Sequence, residues 1–307
     1  MRWKPHRLLR AAAQTSASPV PRAPPLLSAE GLPLEISQAR IDQILAKLEV
    51  PLQRPFQRPA NVERLFALLF SSRAGSTWLG QLLGSTGQIN ALREETRPNR
   101  LSRAAKQLGC AHLAETLEQV MSNGAVNGLY GFKAGNGGLI PLIYSGAYDA
   151  YRNDLKIVIL YRRDAVAQAV SIQRAKLSGR WHSHLGARAR PERVVEASEY
   201  DYEAIRESVA TIAKCNTQLR EFARRNGHPH MELYYEDIVP DPMETVRAIL
   251  TFLDLDASHV EAVSAETRVL RDSTSKEWKE RFRSDLARSP RDEAKIARLD
   301  PFGIHRI

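Results

Sequence analysis

Two cysteines in 307 residues, Cys110 and Cys215, are too few for a disulfide framework and lack the paired spacing of a zinc site. A reducing cytosol is therefore the default compartment. Long hydrophobic runs are missing too. The strongest, at 65–70 and 157–161, fall far short of the roughly 18 consecutive apolar residues of a bilayer-spanning helix, which excludes a transmembrane protein. The first 29 positions hold no acidic residue, only Arg2, Lys4, Arg7, Arg10 and Arg22, so over half of the formal +9 charge sits in one segment. The remainder is only mildly basic. The net charge is compatible with nucleic acid, anionic lipid or an anionic small molecule, which composition alone does not rank; given the motifs described below, no nucleic acid is expected. There is no internal repeat. What is present is an ordinary globular balance, 43% hydrophobic and 26% charged, long enough for one large domain or two small ones.

Residues 1–59 hold nine of the 17 prolines. They read as a basic, largely disordered leader with one helix near 36–48, ahead of a single domain over 60–307. The leader is a candidate targeting segment or a peripheral membrane contact, although it lacks the apolar core of a secretory signal. From residue 65 onward, apolar runs at 65–70, 128–132, 157–161 and 231–235 alternate with helical periodicity at 77–83, 113–121, 165–177, 202–222 and 243–252. This β-α alternation predicts an α/β fold with three α/β/α layers around a central, mostly parallel sheet, P-loop-like in its first turn. Ligands in such folds bind at the carboxyl ends of the strands.

The first run leads directly into Ser71-Ser72-Arg73-Ala74-Gly75-Ser76-Thr77-Trp78-Leu79. Small side chains let backbone N–H groups converge on an anion, Ser76 and Thr77 add hydroxyls, and the helix start adds partial positive charge. Arg73 supplies a full one. Relative to a Walker A motif, the first glycine and the lysine before the Ser-Thr pair are absent, which argues against a magnesium nucleoside-triphosphate site but not against a phosphate. The third run ends in Arg162-Arg163-Asp164, with Ser171 eight residues after Arg163, so that an arginine fork and a hydroxyl can share a second anion.

Together the two motifs resemble the sulfotransferase family, whose members use 3′-phosphoadenosine 5′-phosphosulfate. The resemblance implies that Ser72, Arg73, Ala74, Gly75, Ser76 and Thr77 hold the 5′-phosphosulfate and that Arg163 and Ser171 hold the 3′-phosphate, Arg162 being the alternative register. Tyr234-Tyr235-Glu236-Asp237 resembles a structural segment of the family, and Arg271 with Trp278 resembles its cofactor-covering loop, with Asp272-Ser273 where Lys-Gly is usual. Gln168-Ala169-Val170-Ser171, Gly179-Arg180-Trp181 and the segment from Glu277 to Arg283 look most like the bacterial trehalose 2-sulfotransferase group.

The same resemblance implies a general base at Glu94, seven residues beyond Thr86-Gly87, with Glu95 as the alternative or as a substrate contact. It also implies that Lys133 neutralises the transferring group. Trp181 beside Arg180 is a candidate platform for a sugar ring. His182 and His184 have metal-ligand spacing but no third ligand nearby, so no metal is expected. The expected reaction is metal-independent sulfation of a carbohydrate or glycolipid hydroxyl by a cytoplasmic or membrane-peripheral enzyme, with a homodimer allowed. Two other readings remain open at this point. One is a P-loop kinase, which would need magnesium; the other is a basic nucleic-acid or membrane-surface module, whose binding would vanish on deleting residues 1–59.

Overall fold

The computed structural model describes residues 34–51, 54–179, 181, 193–266 and 273–306. The sheet is β1 (Arg64–Phe70), β2 (Leu129–Ala134), β3 (Leu155–Tyr161) and β4 (His230–Tyr234), in the order β2-β1-β3-β4 with every pairing parallel. The apolar runs form these strands because helices cover both faces of the sheet. Odd-numbered side chains of β1, namely Leu65, Ala67 and Leu69, enter one core; Phe66, Leu68 and Phe70 enter the other.

The helices are α1 (Gln38–Leu45), α2 (Ser76–Gly84), α3 (Pro98–Leu108), α4 (Leu113–Gly124), α5 (Asn136–Tyr144), α6 (Ala147–Tyr151), α7 (Ala165–Ser178), α8 (Tyr202–Arg225), α9 (Tyr235–Ile238), α10 (Pro242–Phe252), α11 (Ser273–Ala287) and α12 (Pro290–Leu299). The first core gathers residues of α1, α4, α5, α6 and α8 against the sheet, and the second gathers α2 and α10. A third cluster joins α7, α8, α11 and α12. The three-layer α/β arrangement expected from the sequence is present.

Leu34, Ile41 and Ile44 are buried in the same core as β1, so the packed unit already includes residues placed in the leader. Residues 1–33 lie outside the described residues. Among those described, no helix is long and apolar enough to cross a membrane.

Candidate active site

The loop between β1 and α2 turns twice through left-handed backbone, at Arg73 with φ 67° and at Gly75 with φ 100°. Gly75 is also required by space. A Cβ there would stand 2.6 Å from Cδ2 of the Tyr235 ring, so the loop closes onto an aromatic wall that admits no side chain. No side chain caps α2. Its first-turn N–H groups have no intrahelical acceptors, and with Ser76 and Thr77 they form the donor set that an anion needs.

The loop is held from behind by a residue whose motif is read from the sequence but whose role there is not. Gln168 of α7 is fully buried, and its side-chain amide donates to Ser71 Oγ at 2.8 Å and to the Ser72 carbonyl at 2.7 Å. Ser171 lies one turn further along the same helix. Arg73 Nε donates to Ser171 Oγ at 2.9 Å, and Arg73 Nη1 donates to the Trp181 carbonyl. The two anion-binding motifs, about 90 residues apart in the chain, therefore meet at the carboxyl edge of adjacent strands β1 and β3. Trp181 is brought to the same place with 43% of its surface exposed.

The paired arginines, just past the end of β3, take different partners. Arg163 stacks over Tyr234 at 4.1 Å and gives both guanidinium N–H groups to Asp237, each at 2.6 Å. Glu236 takes the backbone N–H of Arg163 at 3.0 Å. The Tyr-Glu-Asp segment is thus the structural partner of Arg163, whose fork is already engaged. The Arg162 guanidinium instead lies 5.7 Å from the Tyr235 ring that walls Gly75. Its buried Nε has no hydrogen-bond partner among the described residues. Arg163→Ala should lower stability by about 1 kcal/mol, discounted for partial exposure, read as an earlier denaturant midpoint.

Lys133, at the end of β2, reaches across to Thr77 with Nζ 2.9 Å from the hydroxyl oxygen. Only 5% of the residue is exposed. Burial pulls its ammonium down to about 8, Glu94 opposing the shift and Arg100 and Arg97 adding to it. The missing Walker lysine is thus matched by an ammonium delivered from the neighbouring strand. Glu94 pairs with Arg97, while Glu95 takes a separate partner, Arg100, at 3.4 Å. The adjacent carboxylates therefore face different cations.

Trp278 departs from expectation. It is 1% exposed, packed between α7 and α8, and donates its indole N–H to the Ala197 carbonyl at 3.1 Å. With Phe282 and Leu286 it forms the buried stripe of α11, so the ring has no open face for a nucleotide. Its spacing at i, i+4 and i+8 was the available signal. Arg180, Arg271, His182 and His184 lie outside the described residues.

Residues 148–285 match the family model described as Stf0 sulphotransferase. That span carries β3, the second anchor and the Tyr-Glu-Asp segment, and bears out the sulfotransferase resemblance. No curated protein matches. Among solved structures, a sulfotransferase from Alicyclobacillus acidocaldarius is 18% identical and covers 80% of this chain and 96% of its own, with a TM-score of 0.43. The sulfotransferase domain of the Synechococcus PCC 7002 olefin synthase is 14% identical over 75% of this chain and 98% of its own, with a TM-score of 0.38. The sulfotransferase domain from the curacin biosynthetic pathway is 15% identical over 75% and 99%, also at 0.38. At those scores the likeness says nothing further about the site.

Proposed function

We propose that this sulfotransferase chain moves a sulfuryl group from 3′-phosphoadenosine 5′-phosphosulfate to a hydroxyl of a carbohydrate or glycolipid acceptor. One contact carries the reading: Arg73 of the first loop bonded to Ser171 of the second anchor, which makes the two phosphate-sized donor sets one binding edge. The residues fit such a donor. Uncapped N–H groups of α2, the Ser76 and Thr77 hydroxyls and Lys133 suit the 5′ end, and Ser171 with Arg162 suits the 3′-phosphate. Arg162 takes that role over Arg163 because its buried Nε is without a partner among the described residues whereas Arg163 is committed to Asp237.

The donor supplies an SO₃ unit that passes between oxygens while negative charge builds on the departing phosphate. Glu94 takes the acceptor proton as the new S–O bond forms and the bond to the bridging phosphate oxygen breaks. Lys133 and the α2 terminus stabilise the charge left on that phosphate. Trp181, exposed beside the loop, offers the acceptor a ring to stack on.

Calorimetric titration with adenosine 3′,5′-bisphosphate tests this reading. The wild-type chain should bind it, and Arg162→Ala should weaken binding by about 10–100-fold, the cost of lost hydrogen bonds from a charged group. A well-folded chain that does not bind this nucleotide would overturn the proposal. Carbohydrate extracts incubated with radiolabelled sulfate donor would then identify the acceptor.

A further inference from the structure

Residues 300–306, which follow α12, play no part in any motif and lie beyond the residues that match the family model. They return to the second anchor. Ile304 is 2% exposed and embedded in the first core, which fixes the segment in place. The Asp300 carboxylate accepts the backbone N–H groups of Ile304 and His305, each at 2.9 Å, and so shapes the turn that delivers the His305 ring. From there His305 Nδ1 lies 3.0 Å from the Arg162 carbonyl, and the Arg306 N–H donates to the Arg163 carbonyl at 2.7 Å.

A carbonyl can only accept, so Nδ1 of His305 carries the proton. Nε2 is then the acceptor, and it faces the side-chain amide of Asn216 on α8 at 3.0 Å. The imidazole is thus a neutral spacer with one defined tautomer, bonded at both ends. On the other side of the same backbone, the Glu236 carboxylate takes the N–H of Arg163. The peptide groups flanking Arg162 are therefore held from two directions by residues more than 70 positions away in the chain.

We propose that the 300–306 segment is a strap that sets the Arg162 guanidinium against the nucleotide's 3′-phosphate, with His305 as the positioning residue. The inference rests on the nucleotide reading above. A chain that leaves β3 through two consecutive arginines can present either one, and the backbone path just past the strand decides which. The strap fixes the carbonyls of both residues and so selects the arrangement in which Arg163 meets Asp237 and Arg162 remains toward the Tyr235 wall.

The test compares two nucleotides on the full chain. Adenosine 3′,5′-bisphosphate engages the 3′-phosphate site, and adenosine 5′-monophosphate does not. His305→Phe keeps a ring in the half-buried position but removes both hydrogen bonds. It should weaken the bisphosphate about tenfold while the monophosphate changes by less than about twofold. His305→Asn, which keeps a donor near the Nδ1 position, should recover most of the loss and provides a second, smaller variant should the phenylalanine disturb folding. Equal loss for both nucleotides, or no loss with either variant, would overturn the strap as a positioning device. Failure of the wild-type chain to bind the bisphosphate would instead remove the nucleotide reading on which the strap rests.

Discussion

Glu94→Gln is expected to slow turnover by about 10²–10⁴-fold with nucleotide affinity unchanged, the span general-base catalysis contributes. The substitution is nearly isosteric, and the amide oxygen still accepts from Arg97, the present partner of the carboxylate. The 13% exposure of the side chain leaves little room for water to replace the base. What the amide cannot do is take the acceptor's proton. Glu94 also acts on Lys133, raising the affinity of that ammonium for its proton against the effect of burial. Glu95 points to Arg100 and is more exposed, at 27%. Glu95→Gln should therefore leave the rate within about threefold, since surface ion pairs contribute little. Steady-state turnover beside calorimetric nucleotide affinity checks both variants. Full rate in Glu94→Gln with collapse in Glu95→Gln would move the base by one residue.

The strands were legible because burial on both faces leaves an unbroken apolar run, and their observed limits differ from the sequence reading only at the ends. The end of β2 is informative. Reading the run to 132 stops before Lys133 because a charged residue ordinarily marks the exit of a strand, yet the strand continues to Ala134 with Lys133 buried inside it. That misplacement coincides with a candidate catalytic group, as expected where local rules yield to chemistry. Helix α5 was hidden for another reason. Gly137, Gly138 and Pro141 all lie inside it, and these residues punctuate chains far more often than they sit in helices. The anchoring loops were readable from residue type and spacing. The roles of Gln168 and His305 were not, since each rests on long-range hydrogen bonds that leave no periodic trace. The pairing of Arg163 with Asp237, 74 positions downstream, was equally closed to the sequence.

Lys133→Met is expected to give a more stable protein and a much poorer enzyme. The ammonium is nearly enclosed, its one direct bond is to a neutral hydroxyl at 2.9 Å, and burial holds its pKa near 8 instead of the ordinary 10.5. Below about 8 it is protonated in both the folded and unfolded chain, so the fold bears the full cost of a buried charge. Between about 8 and 10.5 the unfolded chain holds a proton that the folded chain has released. The unfolded state binds more protons in that window, so this group makes stability rise with pH across it. Methionine has similar reach and no charge. The variant should gain about 1–3 kcal/mol at pH 7, and its stability should lack that rise with pH. Turnover should fall by about 10²–10³-fold, because the site loses a preorganised cation beside Thr77. The wild-type rate should decline as pH rises through about 8 and the ammonium loses its proton, a limb the variant should lack. Thermal unfolding across pH, read against turnover, separates the two roles. A methionine variant that is less stable yet within about threefold of the wild-type rate would make Lys133 a packing residue and leave the α2 terminus alone to face the departing phosphate.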